Sequence, residues 1–276
     1  MNLKVLIAII ITCALGTAHG KFYQEPVDAI IKIEREDSTP LKMALPENLN
    51  VIVWNIYKGK KKSFASDLEK LSKDADLLLL QETHLKQKVK DALSKGPHSY
   101  HMGVSFKMRG TPTGVSTGST VSPNSVDYQR SKRELGFTTP KISLITKYNI
   151  ATSGEELMVI NIHGINFVTL GSFKKQINAL LDVINSHSGP ILFAGDFNTW
   201  SKSKYSFLQS SLKEAGLTEA TFEEDNRLRA PIISRIGKYN NPLDNVFVRG
   251  MIIKEAKVLS NFKGSDHHPI RVKLEL

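Results

Sequence analysis

Two short clusters in this chain carry the residue types that activate water on a phosphate ester. One is Ser265-Asp266-His267-His268-Pro269 near the C-terminus. The other is Gly195-Asp196-Phe197-Asn198, some seventy positions earlier. Each borders an apolar, β-branched run, so each is expected at the end of a buried strand. Polar groups gathered at strand ends are the usual layout of an α/β active site. Alternation along an extended chain puts residues i and i+2 on one side. Asp196 and Asn198 can thus hold a water and orient it at phosphorus. The competing reading of that pair is an Asx turn that caps the next helix.

Further groups extend the set. Asp244, after Asn241-Pro242-Leu243, could pair with His267; such a carboxylate fixes the tautomer of an imidazole and raises its basicity. Asp266 would then point away from His267 and be free for a metal. Glu82 follows the four leucines Leu77 to Leu80, and Asn55 follows Val51-Ile52-Val53-Trp54. A carboxylate and an amide oxygen so placed suit Mg²⁺, which prefers oxygen ligands and keeps several waters; for each, a plain strand-end surface group is the alternative. His163 follows Val159-Ile160-Asn161-Ile162 and could donate to a phosphoryl oxygen, although a lone histidine is more often structural.

These residues need elements to hold them. The apolar runs predict strands at 51–54, 77–80, 142–145, 157–160, 191–194, 245–248, 252–258 and 270–274. Helical spacing predicts helices over 62–72, 84–93, 172–187 and 203–215. In the third of these, Phe173, Ile177, Leu180, Leu181 and Ile184 share one face. Residues 102–140, rich in Gly, Ser, Thr and Pro, read as short strands with long surface loops. Strands and helices interleave, yet several strands follow one another directly. The expectation is an α/β sandwich of mixed sheets rather than a parallel barrel.

Composition sets the boundaries. The chain has 276 residues and ordinary hydrophobic and charged content, so it reads as globular. Met1 to Lys4, an apolar run from Val5 to Leu15, and Ala18-His19-Gly20 have the form of a secretory signal peptide over residues 1–20. An uncleaved anchor is the alternative. The protein is therefore expected to be exported, periplasmic or secreted. Residues 21–48 read as a lead-in segment and 49–276 as the domain. Cys13 is the only cysteine. After cleavage no thiol nucleophile, disulfide or thiolate metal site remains. The formal net charge is +10, and +9 once Lys4 is removed with the leader. Such a chain attracts polyanions, whether nucleic acid or anionic lipid. Arg227, Arg229, Arg235, Lys238 and Tyr239 fall in one loop that could track a phosphate backbone and stack a base.

Asn55, Gln81-Glu82-Thr83, Asn161-Ile162-His163, Gly195-Asp196-Phe197-Asn198, Leu243-Asp244-Asn245-Val246 and Ser265-Asp266-His267 stand in the order and spacing of the endonuclease/exonuclease/phosphatase superfamily. The resemblance to this DNase I-like fold covers residues 50–276. Trp54 to Gly59, Asn161 to Phe167 and Gly195 to Trp200 resemble most closely the bacterial YafD-like branch. The resemblance implies a four-layer sandwich, two β-sheets face to face with helices outside. It implies Glu82 as main ligand of Mg²⁺, or of Mn²⁺ in its place, with Asn55 and Asp266 near the metal. It implies that Asp196 and Asn198 orient the nucleophile, that His163 and His267 flank the phosphate, and that Asp244 backs His267. Arg133-Glu134 resembles an Arg-Glu pair of the DNase loop, and Lys141 after Pro140 is a candidate phosphate contact. The carboxylate that pairs with the first histidine in secreted DNases has no match here, and inositol-phosphatase signatures are not evident.

Fold alone does not choose the substrate. The favoured reading is an exported, Mg²⁺-dependent phosphodiesterase, a monomer acting on DNA as an endonuclease. A lipid or inositol phosphate phosphodiesterase would want an exposed apolar hairpin, and none stands out in 102–140. A non-catalytic binding module would need none of the six polar clusters.

Overall fold

The computed structural model describes residues 23–24, 29–131, 133, 139–166, 168–229 and 240–276. The expected layered sandwich is present. One sheet contains β1 (Tyr23–Gln24), β2 (Ile30–Ile33), β3 (Asn48–Asn55), β4 (Leu77–His84), β5 (Ser99–Met108), β6 (Thr111–Ser119), β13 (Ile252–Val258) and β14 (Ile270–Glu275). Its order is β1-β5-β6-β4-β3-β14-β13, with β2 also pairing β5. The second contains β7 (Ser125–Arg130), β8 (Ile142–Asn149), β9 (Glu156–His163), β10 (Ile191–Asp196), β11 (Thr218–Glu219) and β12 (Asp244–Arg249), ordered β11-β12-β10-β9-β8-β7. Both are mixed: β3 runs parallel to β4 and β9 parallel to β10, while the other pairings are antiparallel.

Strand alternation divides the core. Val51, Val53, Leu77 and Leu79 face Leu157, Val159, Leu192 and Ala194 between the sheets. Ile52, Trp54, Leu78 and Leu80 point outward under helices α1 (Phe64–Ser72) and α2 (Gln87–Ser94). Ile160, Ile162, Ile191 and Phe193 pack under α3 (Leu170–Ser186) and α4 (Lys202–Glu214). Covering both faces explains why these strands read as continuous apolar runs. α3 buries Phe173, Ile177, Leu180 and Ile184, the stripe its spacing predicts.

Two expectations change. Residues 99–119 are not short strands and long loops but a hairpin of ten- and nine-residue strands. Arg109 and Gly110 form its turn with φ of 51° and 79°, the positive-φ pair that matches strand twist. Its Ser and Thr content is buried, with Ser116, Thr117 and Ser119 between 0 and 2 % exposed. Burial by the neighbouring sheet overrides the loop-like composition. The lead-in also contributes structure, since Ile30–Ile33 pairs with β5 from Ile30↔Gly103 to Ile33↔Tyr100.

Candidate active site

The polar clusters meet on one rim. Asn55 and Glu82 lie at or near the carboxyl ends of the parallel pair β3–β4, and His163 and Asp196 end the parallel pair β9–β10. Asp244 begins β12 and His267 precedes β14, but both strands are antiparallel to these neighbours, so their amino ends reach the same rim. Asp196 is directly opposite Asp244 on one side and His163 on the other.

Local backbone aims the groups. The register of β4 against β6 slips between Leu80 and Thr83, and Glu82 has φ 54° inside that bulge. A bulge re-aims a side chain. Glu82 thereby turns into a cavity of about 180 Å³ that Lys58, Lys141 and His163 also line. Gly195 has φ 141°, and a Cβ there would lie 2.1 Å from the Ile162 carbonyl oxygen; only glycine lets β10 approach β9 so closely. Asp196 Oδ1 then accepts the backbone N–H of Asn198 at 3.0 Å. The Asx turn is present, but it does not cap the next helix, whose N-cap is Ser201. The Asn198 amide donates to the Gly164 carbonyl at 2.9 Å, so this side chain ties the β9 and β10 ends together.

A buried chain of hydrogen bonds links the candidates. Asn55 Nδ2 donates to Asp196 Oδ2 at 2.9 Å. His163 Nε2 lies 3.8 Å from the same oxygen and 3.2 Å from Lys141 Nζ. His267 Nδ1 lies 2.7 Å from Asp244 Oδ2. The His267 carbonyl accepts from Trp54 Nε1 at 3.0 Å, and Ser265 Oγ donates to the Asn55 carbonyl at 2.6 Å. The Ser265–His267 turn is therefore fastened to the end of β3. Asp266 is exposed on that turn and accepts from Ser265 Oγ at 3.2 Å.

Electrostatics separate the roles. Burial would depress the His267 pKa, but the Asp244, Asp196 and Asp266 carboxylates outweigh it and raise it to about 10. Asp196 is raised to about 7 by burial and by the Asp244 charge. His163 is held well below its ordinary value by burial and by Lys141. In a neutral His163 whose Nε2 accepts from the Lys141 ammonium, the Nδ1–H is the ring's remaining donor. Burial would raise Glu82, yet positive charge from His163 when protonated, Lys58 and Lys141 brings it down to about 2. Since His163 is neutral near pH 7, the two lysines keep Glu82 ionised.

The donor set fits a hard cation. Asn55, Glu82 and Asp266 offer only oxygen, as Mg²⁺ or Mn²⁺ prefers. The Lys58 ammonium already rests against the Glu82 carboxylate, a positive charge held by that carboxylate. Ligand atoms of Asp196, Asp244 and His267 also lie within 4.8 Å of one another. Asp244 and His267 are bonded to each other, and an imidazolium offers no lone pair to a metal. Asp244 Oδ1 is buried without a hydrogen-bond partner, which leaves it as an acceptor facing the cluster.

The remaining candidates sort differently. Lys141 belongs to the Glu82 cavity, whereas Arg133 lines a separate one against α3. Arg227 is 8 % exposed, ion-paired to Asp225 at 2.8 Å and bonded to Asn245 Oδ1 at 2.8 Å. It packs the loop onto β12 and is spent there, contrary to the expectation of a substrate contact. Arg229 joins the same Asp225 at 2.8 Å and the Asn240 carbonyl. Arg235, Lys238 and Tyr239 lie outside the described residues. Sequence reasoning missed Lys58; its one signal is its place just beyond the β3 end, where Tyr57 and Lys58 take positive φ. It also missed the bridge from Gln81 Nε2 to Asn161 Oδ1, 2.7 Å long and buried between the sheets. That bridge sets the β4 end, with Glu82, against the β9 end, with His163.

The sequence profile of the Endonuclease/Exonuclease/phosphatase family matches residues 52–267. This chain belongs to that family. Among its relatives are UPF0294, or YafD-like, proteins of Vibrio parahaemolyticus and Yersinia pseudotuberculosis. The first is 38 % identical, over 84 % of this chain and 80 % of the relative. The second is 34 % identical, over 86 % and 88 %. Solved structures share the fold at low identity. An endonuclease/exonuclease/phosphatase of Beutenbergia cavernae has a TM-score of 0.62 at 17 % identity, covering 83 % of this chain and 72 % of that one. D. rerio TDP2, complexed with single strand DNA product, has 0.57 at 15 %, covering 83 % and 99 %. Family and fold are those of phosphoesterases.

Proposed function

We propose that this protein is a Mg²⁺-dependent phosphodiesterase that hydrolyses DNA, with Mn²⁺ able to replace Mg²⁺. The observation that carries the reading is the buried Asn55–Asp196 and Asp244–His267 pairing, in which neighbouring groups are pushed to opposite tasks. A carboxylate with a pKa of about 7 is matched to accepting a proton near neutral pH. An imidazole with a pKa of about 10 stays protonated there and can donate.

The chemistry follows from these states. A water hydrogen-bonded to Asp196 attacks phosphorus, and its proton passes to the Asp196 carboxylate. The bond from phosphorus to the leaving oxygen breaks on the opposite side, its electron pair departing with that oxygen, which takes a proton from solvent. His267 donates to a non-bridging oxygen as charge builds, a role typically worth ~10²–10³ in rate. Asn55 and the Asn198 backbone N–H hold the Asp196 carboxylate in place. Lys141 adds positive charge beside the same centre. Asn55, Glu82 and Asp266 would hold the metal, which neutralises phosphate charge when bound.

The choice of DNA rests on the formal charge of +10 and on the kinship in fold with a protein solved with single strand DNA product. The signal-peptide form of residues 1–20 supports export, with the protein acting as a monomer outside the cytoplasm. Lipid or inositol phosphate is the second reading, favoured only by the affinity of a basic surface for any polyanion. A panel of supercoiled plasmid, single-stranded DNA, RNA, sphingomyelin and inositol phosphates at fixed Mg²⁺ decides between them. Cleavage of DNA supports the reading. Turnover of sphingomyelin or an inositol phosphate with intact plasmid would reject it while leaving the hydrolase intact.

A further inference from the structure

A second cavity, of about 320 Å³, lies between α3 and the face of β7 and β8 that looks toward it. Gln129, Arg133, Ser143, Ser172, Lys175 and Gln176 are among its walls. Two of these carry polar atoms that have no hydrogen-bond partner although fully buried. They are Ser143 Oγ and Gln176 Nε2. Ser143 is only 1 % exposed. The orientation of the Gln176 amide is fixed, because its Oε1 accepts the Ile165 N–H at 3.0 Å. Its unpaired nitrogen is therefore a committed donor, and the Ser143 hydroxyl can be a second. A buried unpaired donor is destabilising, so such a pair calls for an acceptor. Lys175 adds positive charge, and no acidic side chain is among the described residues lining the cavity.

The cavity adjoins the active site. Ser131 lines it, and the Ser131 backbone N–H donates to the Lys141 carbonyl at 2.8 Å, while the Lys141 N–H donates to Ser131 Oγ at 2.9 Å. Lys141 in turn touches His163. Ile165, which fixes Gln176, lies two residues beyond His163 on the same chain.

We propose that this cavity is an oxyanion subsite, with Ser143 and Gln176 as donors and Lys175 as counter-charge, and that it holds a second phosphate of the substrate whose scissile phosphate sits at Asp196 and His267. The assignment rests on the phosphodiesterase reading. It gives the two unpaired buried groups an acceptor, and it makes a chain with several phosphates a better substrate than an ester with one.

The test uses the full chain and two readouts. In the first, the Gln176 side-chain amide resonance is followed by NMR while inorganic phosphate, and separately a short single-stranded oligonucleotide, is added. The resonance is expected to shift with both in the wild type and with neither in Ser143→Val, which replaces the donor by methyl groups. In the second, KM for the oligonucleotide is compared with KM for a nitrophenyl phosphate diester. Ser143→Ala is expected to raise that ratio about tenfold, the loss of one hydrogen bond to a charged group. Lys175→Glu, on an exposed helix position that cannot disturb the core, is expected to raise it and to flatten the salt dependence. An unshifted Gln176 amide, or an unchanged ratio in both variants with Ser143→Ala simply more stable, overturns the subsite and leaves buried water as the partner. If no phosphodiester is hydrolysed yet phosphate still shifts Gln176 in the wild type alone, the subsite stands and the phosphodiesterase reading falls.

Discussion

Asp244→Asn should move the whole pH profile of hydrolysis toward acid. The substitution keeps an oxygen to accept from His267 Nδ1, now 2.7 Å from Asp244 Oδ2, but removes the charge. A ring that titrates at about 10 instead of 6.5 favours its protonated form by roughly 5 kcal/mol. Asp244 is the largest favourable cause; burial opposes it, and Asp196 and Asp266 supply the rest. Without Asp244 the ring loses its largest favourable partner, so its pKa should fall from about 10 toward its ordinary 6.5. At about pH 8.5, ~97 % of wild-type rings are protonated against ~1 % of rings at the ordinary value, so kcat/KM should fall by up to ~100-fold. Asp196 loses its repelling neighbour as well, so the acid limb should drop below the wild-type position near 7. The loss is then smallest near pH 6. The assay is kcat/KM on a single-phosphate diester from about pH 5 to 10.5 at saturating Mg²⁺, with circular dichroism to show that the variant folds. The wild type should give a bell with limbs near 7 and near 10. An alkaline limb that stays near 10 in Asp244→Asn would show that Asp244 does not control a catalytic proton on His267.

Four further outcomes follow from the same geometry. Glu82→Gln should raise the Mg²⁺ concentration for half-maximal activity by at least ~10-fold, as loss of a ligand or its support typically does; isothermal titration reads it. Lys58→Met should tighten Mg²⁺ binding several-fold in the same titration, since the ammonium now resting on Glu82 competes with any cation. Asn161→Leu leaves Gln81 Nε2 without its 2.7 Å acceptor and should cost ~1–3 kcal/mol, seen as a lowered Tm together with reduced kcat. For pH and stability, the folded His267 pKa lies above its ordinary 6.5. Its contribution is therefore complete below about pH 6.5 and lost as pH rises through about 10. Urea unfolding at about pH 7 and pH 10 should show that loss, and it should be smaller in His267→Gln.

Much of this site was legible because its residues lie at the ends of apolar runs. Leu77 to Leu80 is buried on both faces, so the carboxylate that follows had to emerge at a strand end. The direction it takes was not legible, since it depends on a bulge that appears only when β4 pairs with β6. The 99–119 hairpin was misread because Ser, Thr and Gly signal loops on an open surface and small packing residues between two sheets. Arg227 was misread because a basic loop looks solvated until Asp225 and Asn245 are seen around it. Ser143 and Gln176 carry no motif at all; only the unpaired state of their buried atoms marks them. Lys58 belongs with them, as its contact with Glu82 spans 24 positions and rests on positive-φ backbone.

The most direct test of the central claim is cleavage of supercoiled plasmid by the purified protein, wild type against Asp196→Ala, with Mg²⁺ and with EDTA. The account predicts nicked and linear DNA only for wild type with Mg²⁺, and a rate at least ~100-fold lower for Asp196→Ala. Equal cleavage by Asp196→Ala, or undiminished cleavage by wild type in EDTA, would contradict it.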